Sequence, residues 1–256
     1  MKRTSSFLLG LLGALCVLAI WWVTSSGAKE IYFPPLPDIL SSVWDYWLAG
    51  EGREQLASSL SNLAVGLTMG IAAGVSIGLV IGQIRLVRTG LTPPLEFVRA
   101  IPATALIPFA MVIFGLGDTM KIFIIALGTF FPVLLNVIDG ARSIPRESHD
   151  TARSFGITGL TKQLNVVLPA VTPRAVAGIT VAIPLSLVLV VTSEMTGSSQ
   201  GIGYFLITAQ NSFNQTAVWG VIIILGLLGM ILTSIFGLIE RRLLAWDRGL
   251  HGRDQL

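Results

Sequence analysis

Asp150-Thr151-Ala152-Arg153-Ser154-Phe155-Gly156, taken up again at Val166-Val167-Leu168-Pro169, is the most informative segment of the chain. It lies in a polar loop between two long apolar segments. Arg142-Ser143-Ile144-Pro145-Arg146-Glu147-Ser148-His149 precedes it, and Lys162 and Arg174 follow. Pro145 suits the start of a helix, and Asp150 is near enough to that start to favour the positive end of the helix dipole. Ala152, Phe155 and Leu160 predict a small, smooth face, with Gly156 either ending the helix or allowing close backbone approach. Leu168-Pro169 predicts a block to further helix until the next apolar segment. A short helix with a bare apolar face and basic flanks suits docking into a groove on another protein.

The surrounding composition says where this loop lives. Of 256 residues, 53% are hydrophobic and 12% charged, with a mean hydropathy of +0.77. A soluble domain carries roughly 25% charged residues, so the expected class is all-α and integral to a membrane. The net charge of +3 needs no nucleic acid to explain it once its distribution is seen. Cys16, the single cysteine, falls in an apolar run and makes neither an internal disulfide nor a metal site. His149 and His251 both lie in polar segments and form no metal-ligand cluster. No Gly-x-x-x-x-Gly-Lys-Ser/Thr phosphate loop occurs. This chain is therefore expected to hold no cofactor, and any ATP chemistry must belong to another subunit.

A membrane-crossing helix needs about 20 mostly apolar residues. Six intervals qualify within one domain of 1–256: residues 7–24, 60–84, 100–115, 122–138, 175–193 and 217–239, with the opening loop at 140–174. The first also reads as a cleaved signal peptide, because Ser25-Ser26-Gly27-Ala28 supplies small residues after an apolar run. Its length and Trp21-Trp22 as an interfacial anchor favour a retained helix. Ile39 to Leu48, with Trp44, Tyr46 and Trp47, reads as an outer helix lying at the interface. In the second interval Gly66, Gly70, Gly74, Gly78 and Gly82 recur every fourth residue, which lines one helix face and lets another helix approach closely. Ile101-Pro102 and Ile107-Pro108 break the third, so it belongs inside the bundle, where neighbouring protein satisfies the freed carbonyls. Of the 17 Lys and Arg residues, all but Lys29, Arg53 and Lys121 fall in one set of alternating segments. That asymmetry places the opening loop and both termini in the cytoplasm.

The loop resembles the cytoplasmic Glu-Ala-Ala loop of ATP-binding-cassette (ABC) importer permeases. The family pattern is Glu-Ala-Ala, three residues, Gly, nine residues, an aliphatic residue, any residue, then Leu-Pro. Asp150, Thr151 and Ala152 stand for its first three residues, Gly156 for the glycine, and Val166, Leu168 and Pro169 for the tail. Asp for Glu and Thr for Ala are the departures. Arg99-Ala100-Ile101-Pro102, Ile107-Pro108, Phe114-Gly115-Leu116-Gly117, Phe130-Phe131-Pro132, Ser193-Glu194-Met195 and Gly201-Ile202-Gly203-Tyr204 are similar to the nitrate, sulfonate and taurine branch. The resemblance implies a type I importer with two permease copies, two ATPase subunits that bind Mg-ATP, and an extracytoplasmic solute-binding protein. It implies a homodimer of this chain as the simple arrangement. It assigns Asp150, Thr151, Ala152, Arg153, Gly156, Leu168 and Pro169 to coupling with the ATPase. Solutes of this branch are mostly small anions such as nitrate, alkyl sulfonates and some carboxylates, although similar members carry bicarbonate or thiamine precursors.

Glu194 is read two ways: a functional ionisable group at membrane depth, or an outer-edge carboxylate that is solvated or partners a backbone turn. Ser186, Thr192 and Ser193 either line a polar path or bond back to their own helix. Asp139 is expected to pair with Arg142 at i+3. A self-contained secondary transporter or channel is the alternative function, but such proteins usually show paired broken helices or intramembrane acid and base chains. The span interiors here hold no charge. A membrane enzyme would need a nucleophile and base at membrane depth, and both histidines lie outside the spans.

Overall fold

The computed structural model of the chain describes residues 12, 13, 16, 19–23, 25 and 32–246. Most of the expected first span, 7–24, and both ends of the chain lie outside the described residues. Among those described, every regular element is helical.

In chain order these are α1 (Leu36–Ser42, extended by a wide π-turn over Val43–Leu48), α2 (Gly52–Gln83) and α3 (Arg85–Arg99). A 3₁₀ turn at Ala103–Leu106 leads into α4 (Ile107–Phe114), followed by α5 (Asp118–Arg142) and α6 (Arg146–Ser154). Then come α7 (Gly159–Lys162), a second π-turn (Gln163–Val167), α8 (Leu168–Gly197), α9 (Ile202–Asn211) and α10 (Gln215–Leu243). Four stretches are long and apolar enough to cross a membrane: α2, α5, residues Gly159–Gly197, and α10. A fifth arises if α3 and the segment Ala103–Phe114, bent by 79° from each other, count as one broken span.

The glycine repeat of α2 explains the centre of the bundle. Gly66, Gly70, Gly74, Gly78 and Gly82 are all buried. A Cβ on each would stand within 3 Å of Ile125, Thr129, Val133, Val137 and Ala141 in turn, a row on α5 with the same four-residue period. Two i+4 rows thus interlock with nothing between them, the small-residue packing that helices use in lipid. The other side of α5 packs on α8. Ile124, Met120, Leu189 and Val190 close the outer half of the core, and Val133, Val137, Val167 and Val171 close the inner half.

The outer helix is fixed to this bundle. Ile39, Val43 and Trp47, each four residues apart, are buried against Ile202, Val221 and Ile224. Tyr46 stacks on Phe205 with ring centroids 4.3 Å apart. Its opposite face, with Leu40, Trp44 and Leu48, is exposed, as an interfacial helix requires.

Two sequence expectations need correction here. Leu168-Pro169 does not block the helix: Pro169 sits in the first turn of α8, where its missing N–H costs little. The wide turn before it, in which the Leu168 N–H reaches back to the Gln163 carbonyl, absorbs the misfit. The breaks expected at Ile101-Pro102 and Ile107-Pro108 are present: Pro102 caps the start of the 3₁₀ turn and Pro108 lies in the first turn of α4. Asp139 and Arg142 do not pair; the ion pairs among the described residues are Glu96–Arg99 and Asp118–Lys121.

Candidate functional site

Three places carry polar chemistry that the packing does not require: the loop between α5 and α8, a knot around Glu194 at the opposite end of the bundle, and the cavity beside the broken span.

In the loop, Pro145 stands immediately before α6 with extended backbone, φ −60° and ψ 146°. The helix ends in a Schellman motif: the Ile157 N–H donates to the Ala152 carbonyl at 2.8 Å and the Gly156 N–H to the Arg153 carbonyl at 3.0 Å. Gly156 has φ +70°, which is why glycine is there. Nothing lies within 4 Å of where its side chain would be, so it ends the helix and makes no close approach inside this chain. Asp150, Thr151 and Arg153 are exposed, and Phe155 and Leu160 are 78% and 73% exposed. Ala152, expected on that face, is instead buried at 4%, so its methyl group packs within this chain. Leu168 is 38% exposed and Pro169 half-buried. The loop therefore presents Phe155, Leu160 and the half-exposed Leu164 as bare apolar side chains among charged ones.

Gly159 to Gly197 runs on from this loop as 39 helical residues. Its far end carries Glu194, which is fully buried. Ser59 Oγ donates to both carboxylate oxygens, at 2.7 and 2.8 Å, and the Gly203 N–H donates to Oε2 at 2.9 Å. Ser59 Oγ in turn accepts the Ile202 N–H at 2.8 Å, and Gln55 Oε1 accepts the Gly201 N–H. The first N–H groups of α9 are thus tied to α2 and α8 through one carboxylate, the charge that a helix N-terminus favours. Gly201 has φ +113°, and a Cβ there would sit 2.3 Å from Glu194 Cδ. A Cβ added at Gly203 would run as closely into the Val191 carbonyl oxygen. The Gly-Ile-Gly sequence is what lets α9 start on top of the carboxylate.

The other path candidates, Ser186, Thr192 and Ser193, line neither of the cavities described below. Ser186 and Ser193 are fully buried and donate to the Ile183 and Val190 carbonyls. Thr192 donates to the Val188 and Leu189 carbonyls. Of the two readings open for them, back-bonding is the one seen.

A membrane-depth cavity of about 530 Å³ lies instead beside the broken span, lined by Arg99, Pro102, Thr104, Gly128, Pro132 and Asn136 among apolar residues of α5 and α8. Pro132 has no N–H to return to the Gly128 carbonyl one turn earlier, and both residues line this space. Asn136 Nδ2 donates to the Pro132 carbonyl at 2.8 Å. Irregular backbone at this depth is tolerated where it is buried in protein or lines a water-filled space. Residues 100–105 are largely exposed in the single chain, so water or a neighbouring subunit must cover them. The sequence signal was present in Pro102, Pro108 and Pro132, but Thr104 and Asn136 were not singled out. At the outer face a second cavity of about 860 Å³ is lined by Asp118, Lys121, Gln200, Tyr204 and Asn211. Lys121, almost fully buried, pairs with Asp118 at 2.8 Å, and Asn62 Nδ2 donates to the same carboxylate at 3.0 Å. No group of three or more His, Cys, Asp or Glu residues with metal-holding geometry occurs among the described residues.

Comparison with known proteins agrees with this architecture. Residues 66–245 match the family described as "Binding-protein-dependent transport system inner membrane component". The putative aliphatic sulfonates transport permease protein SsuC of Escherichia coli (strain K12) is 33% identical over 237 residues, covering 92% of this chain and 90% of its own. The nitrate import permease protein NrtB of Leptolyngbya laminosa is 31% identical over 235 residues, covering 88% and 84%. Among solved structures, an inward-facing form of the MetNI methionine ABC transporter superposes with a TM-score of 0.60 at 22% identity, covering 73% of this chain and 93% of that one. That likeness shows the fold alone. With the family matched over most of its length, an all-helical bundle and apolar spans, this chain belongs to the binding-protein-dependent ABC importer permeases, in their nitrate and sulfonate branch.

Proposed function

We propose that this chain forms the translocation path of an ATP-driven importer for a small anionic solute of the sulfonate, nitrate or carboxylate type. In this reading two copies of the permease span the membrane with both termini in the cytoplasm. Two ATPase subunits bind Mg-ATP below them, and a solute-binding protein delivers solute from outside. The permease itself performs no catalysis.

One observation carries the reading: the exposed, Schellman-capped helix α6, with Phe155 bare at its C-terminal cap, leads into a single 39-residue helical rod whose first turn bears the exposed Leu160 and whose far end carries the Glu194 knot. An ATPase pair that closes on ATP can bias inward- against outward-facing states only through contacts that differ between them. A helix seated in a groove supplies such contacts. Asp150, Thr151, Arg153 and Gly156 lie on the exposed side of this element. Ala152 fixes its C-terminal turn, and Leu168 and Pro169 join it to the rod. Because α8 packs on α5 along its length, a displacement of the loop reaches the membrane cavity and the outer knot together.

The test is gentle detergent purification of the tagged full chain, with identification of what co-elutes. An accompanying subunit containing a phosphate loop is expected. Gly156→Trp, which projects into open space where a partner would sit, should lose it, while Gly156→Ala should largely keep it. A chain that elutes alone and moves solute in liposomes without ATP would overturn the reading in favour of a secondary transporter.

A further inference from the structure

We infer that the membrane-depth cavity opens to the cytoplasm through an arginine-lined vestibule that admits small anions and turns away cations, with Arg99 at the junction. This deepens the importer reading by giving the charge of the solute route a structural basis in this chain. Two separate cavities carry the inference. Beside the 530 Å³ cavity lies another of about 400 Å³ at the cytoplasmic end of α3 and α5, and Arg99 and Leu135 line both.

The vestibule brings together Arg88, Arg99 and Arg142 with two carboxylates, Glu96 and Asp139. These charges are not equally available. Glu96 is committed to Arg99, whose Nε donates to Oε2 at 2.5 Å. Arg88 Nη1 donates to the Gly82 carbonyl at 2.7 Å, which holds a full positive charge against the end of α2. The side chains of Arg142 and Asp139 have no hydrogen-bond or ion-pair partner among the described residues. Three guanidinium groups therefore face two carboxylates. In the deeper cavity Arg99 is the one charged residue of the lining, while its partner Glu96 lines the vestibule alone. A cleft with low-dielectric walls and a net positive charge concentrates anions; clefts of this kind raise the local concentration of a counter-ion by about 10- to 10³-fold. The ligand class is thus a small anion with oxygen acceptors for guanidinium donors. An anionic lipid headgroup presents the same chemistry, so the experiment must separate a route for solute from a seat for lipid.

The full chain with Cys16→Ser and Thr104→Cys, in membrane vesicles with the cytoplasmic face outward, is exposed to two thiol reagents of similar size. One is anionic, sulfonatoethyl methanethiosulfonate; the other is cationic, trimethylammonioethyl methanethiosulfonate. Each rate is normalised to that with a free thiol in solution. Position 104 should react with the anionic reagent about tenfold faster. That preference should shrink toward unity in Arg99→Gln and in Arg142→Gln, and persist in Arg146→Gln, whose charge lies outside both cavities. Equal rates, a faster cationic reagent, no reaction from the cytoplasmic side, or a preference unmoved by the Arg99 and Arg142 variants would each overturn the inference. So would labelling that is blocked in phosphatidylglycerol liposomes and restored in phosphatidylcholine alone, since the vestibule would then be a lipid site. The measurement needs neither an ATPase nor a transported solute, so its failure is distinguishable from failure of the importer reading.

Discussion

Removing the carboxylate of Glu194 should loosen the outer end of the bundle in a way that a neutral amide does not. Glu194→Ala takes the acceptor from the Ser59 hydroxyl, 2.7 Å away, and from the Gly203 N–H, 2.9 Å away, both at a fully buried site. Leaving a buried donor unsatisfied costs about 1–3 kcal/mol. Two such donors, offset in part by no longer burying a charge, give a net loss of about 2–4 kcal/mol. For a chain of this size each kcal/mol moves the unfolding midpoint by about 2–4 °C, so a fall of about 5–15 °C is expected. Glu194→Gln keeps the volume, and its carbonyl oxygen still accepts the Gly203 N–H. Its amide can donate to Ser59 Oγ, leaving only the serine hydroxyl to find a new acceptor, at about 1 kcal/mol. The assay is thermal loss of monodisperse protein in detergent, read by tryptophan fluorescence and size exclusion. A Glu194→Ala variant as stable as the parent, or a glutamine variant weaker than the alanine one, would refute the reasoning.

Other outcomes follow from the same packing. Gly70→Leu drives its side chain into Thr129 and the Ala126 carbonyl, 2.1 and 2.7 Å from the would-be Cβ, and should cost at least about 1–3 kcal/mol. Gly90→Ala, on the exposed face of α3 with nothing within 4 Å, should be neutral or stabilising by up to about 1 kcal/mol; the two together separate crowding from helix propensity in one melting series. Trp47→Ala removes a buried side chain that packs edge-on against Phe205 and should cost about 3–5 kcal/mol. Limited proteolysis should then release the outer helix before α2 or α5. An intact outer helix at the parent's protease resistance would contradict its role as part of the core.

How much of this was legible in the sequence depends on the range of each interaction. The glycine row of α2 was plain because a four-residue period is a local pattern, and its partner row on α5 obeys the same period. The stop at Gly156 was readable for the same reason: a left-handed residue closes a helix through bonds within six residues. Leu168-Pro169 was misjudged because a proline reads as a breaker by itself, whereas in the first turn of a helix its missing donor has no role. Ala152 was placed on the wrong face because helical spacing fixes relative directions, while the packing of the whole loop decides which direction is inward. Glu194 illustrates the longer limit. Ser59 lies 135 residues away, and no local pattern announces that a helix end, a serine and a carboxylate will meet. The cavity at Thr104 and Asn136 needed three elements to be assembled before it existed.

The claim that organises all of this is that the exposed face of α6 and the turn after it rest on an ATPase. The most direct test replaces Phe155, then Leu160, with a photo-crosslinking phenylalanine analogue in the full chain in its native membranes and irradiates with and without ATP. The account predicts an adduct to an ATP-binding subunit from both positions, with a yield that changes on adding ATP, and none from Leu116, which is as exposed but on the outer side. Adducts from Leu116 alone, or none to an ATP-binding chain from Phe155 and Leu160, would contradict it.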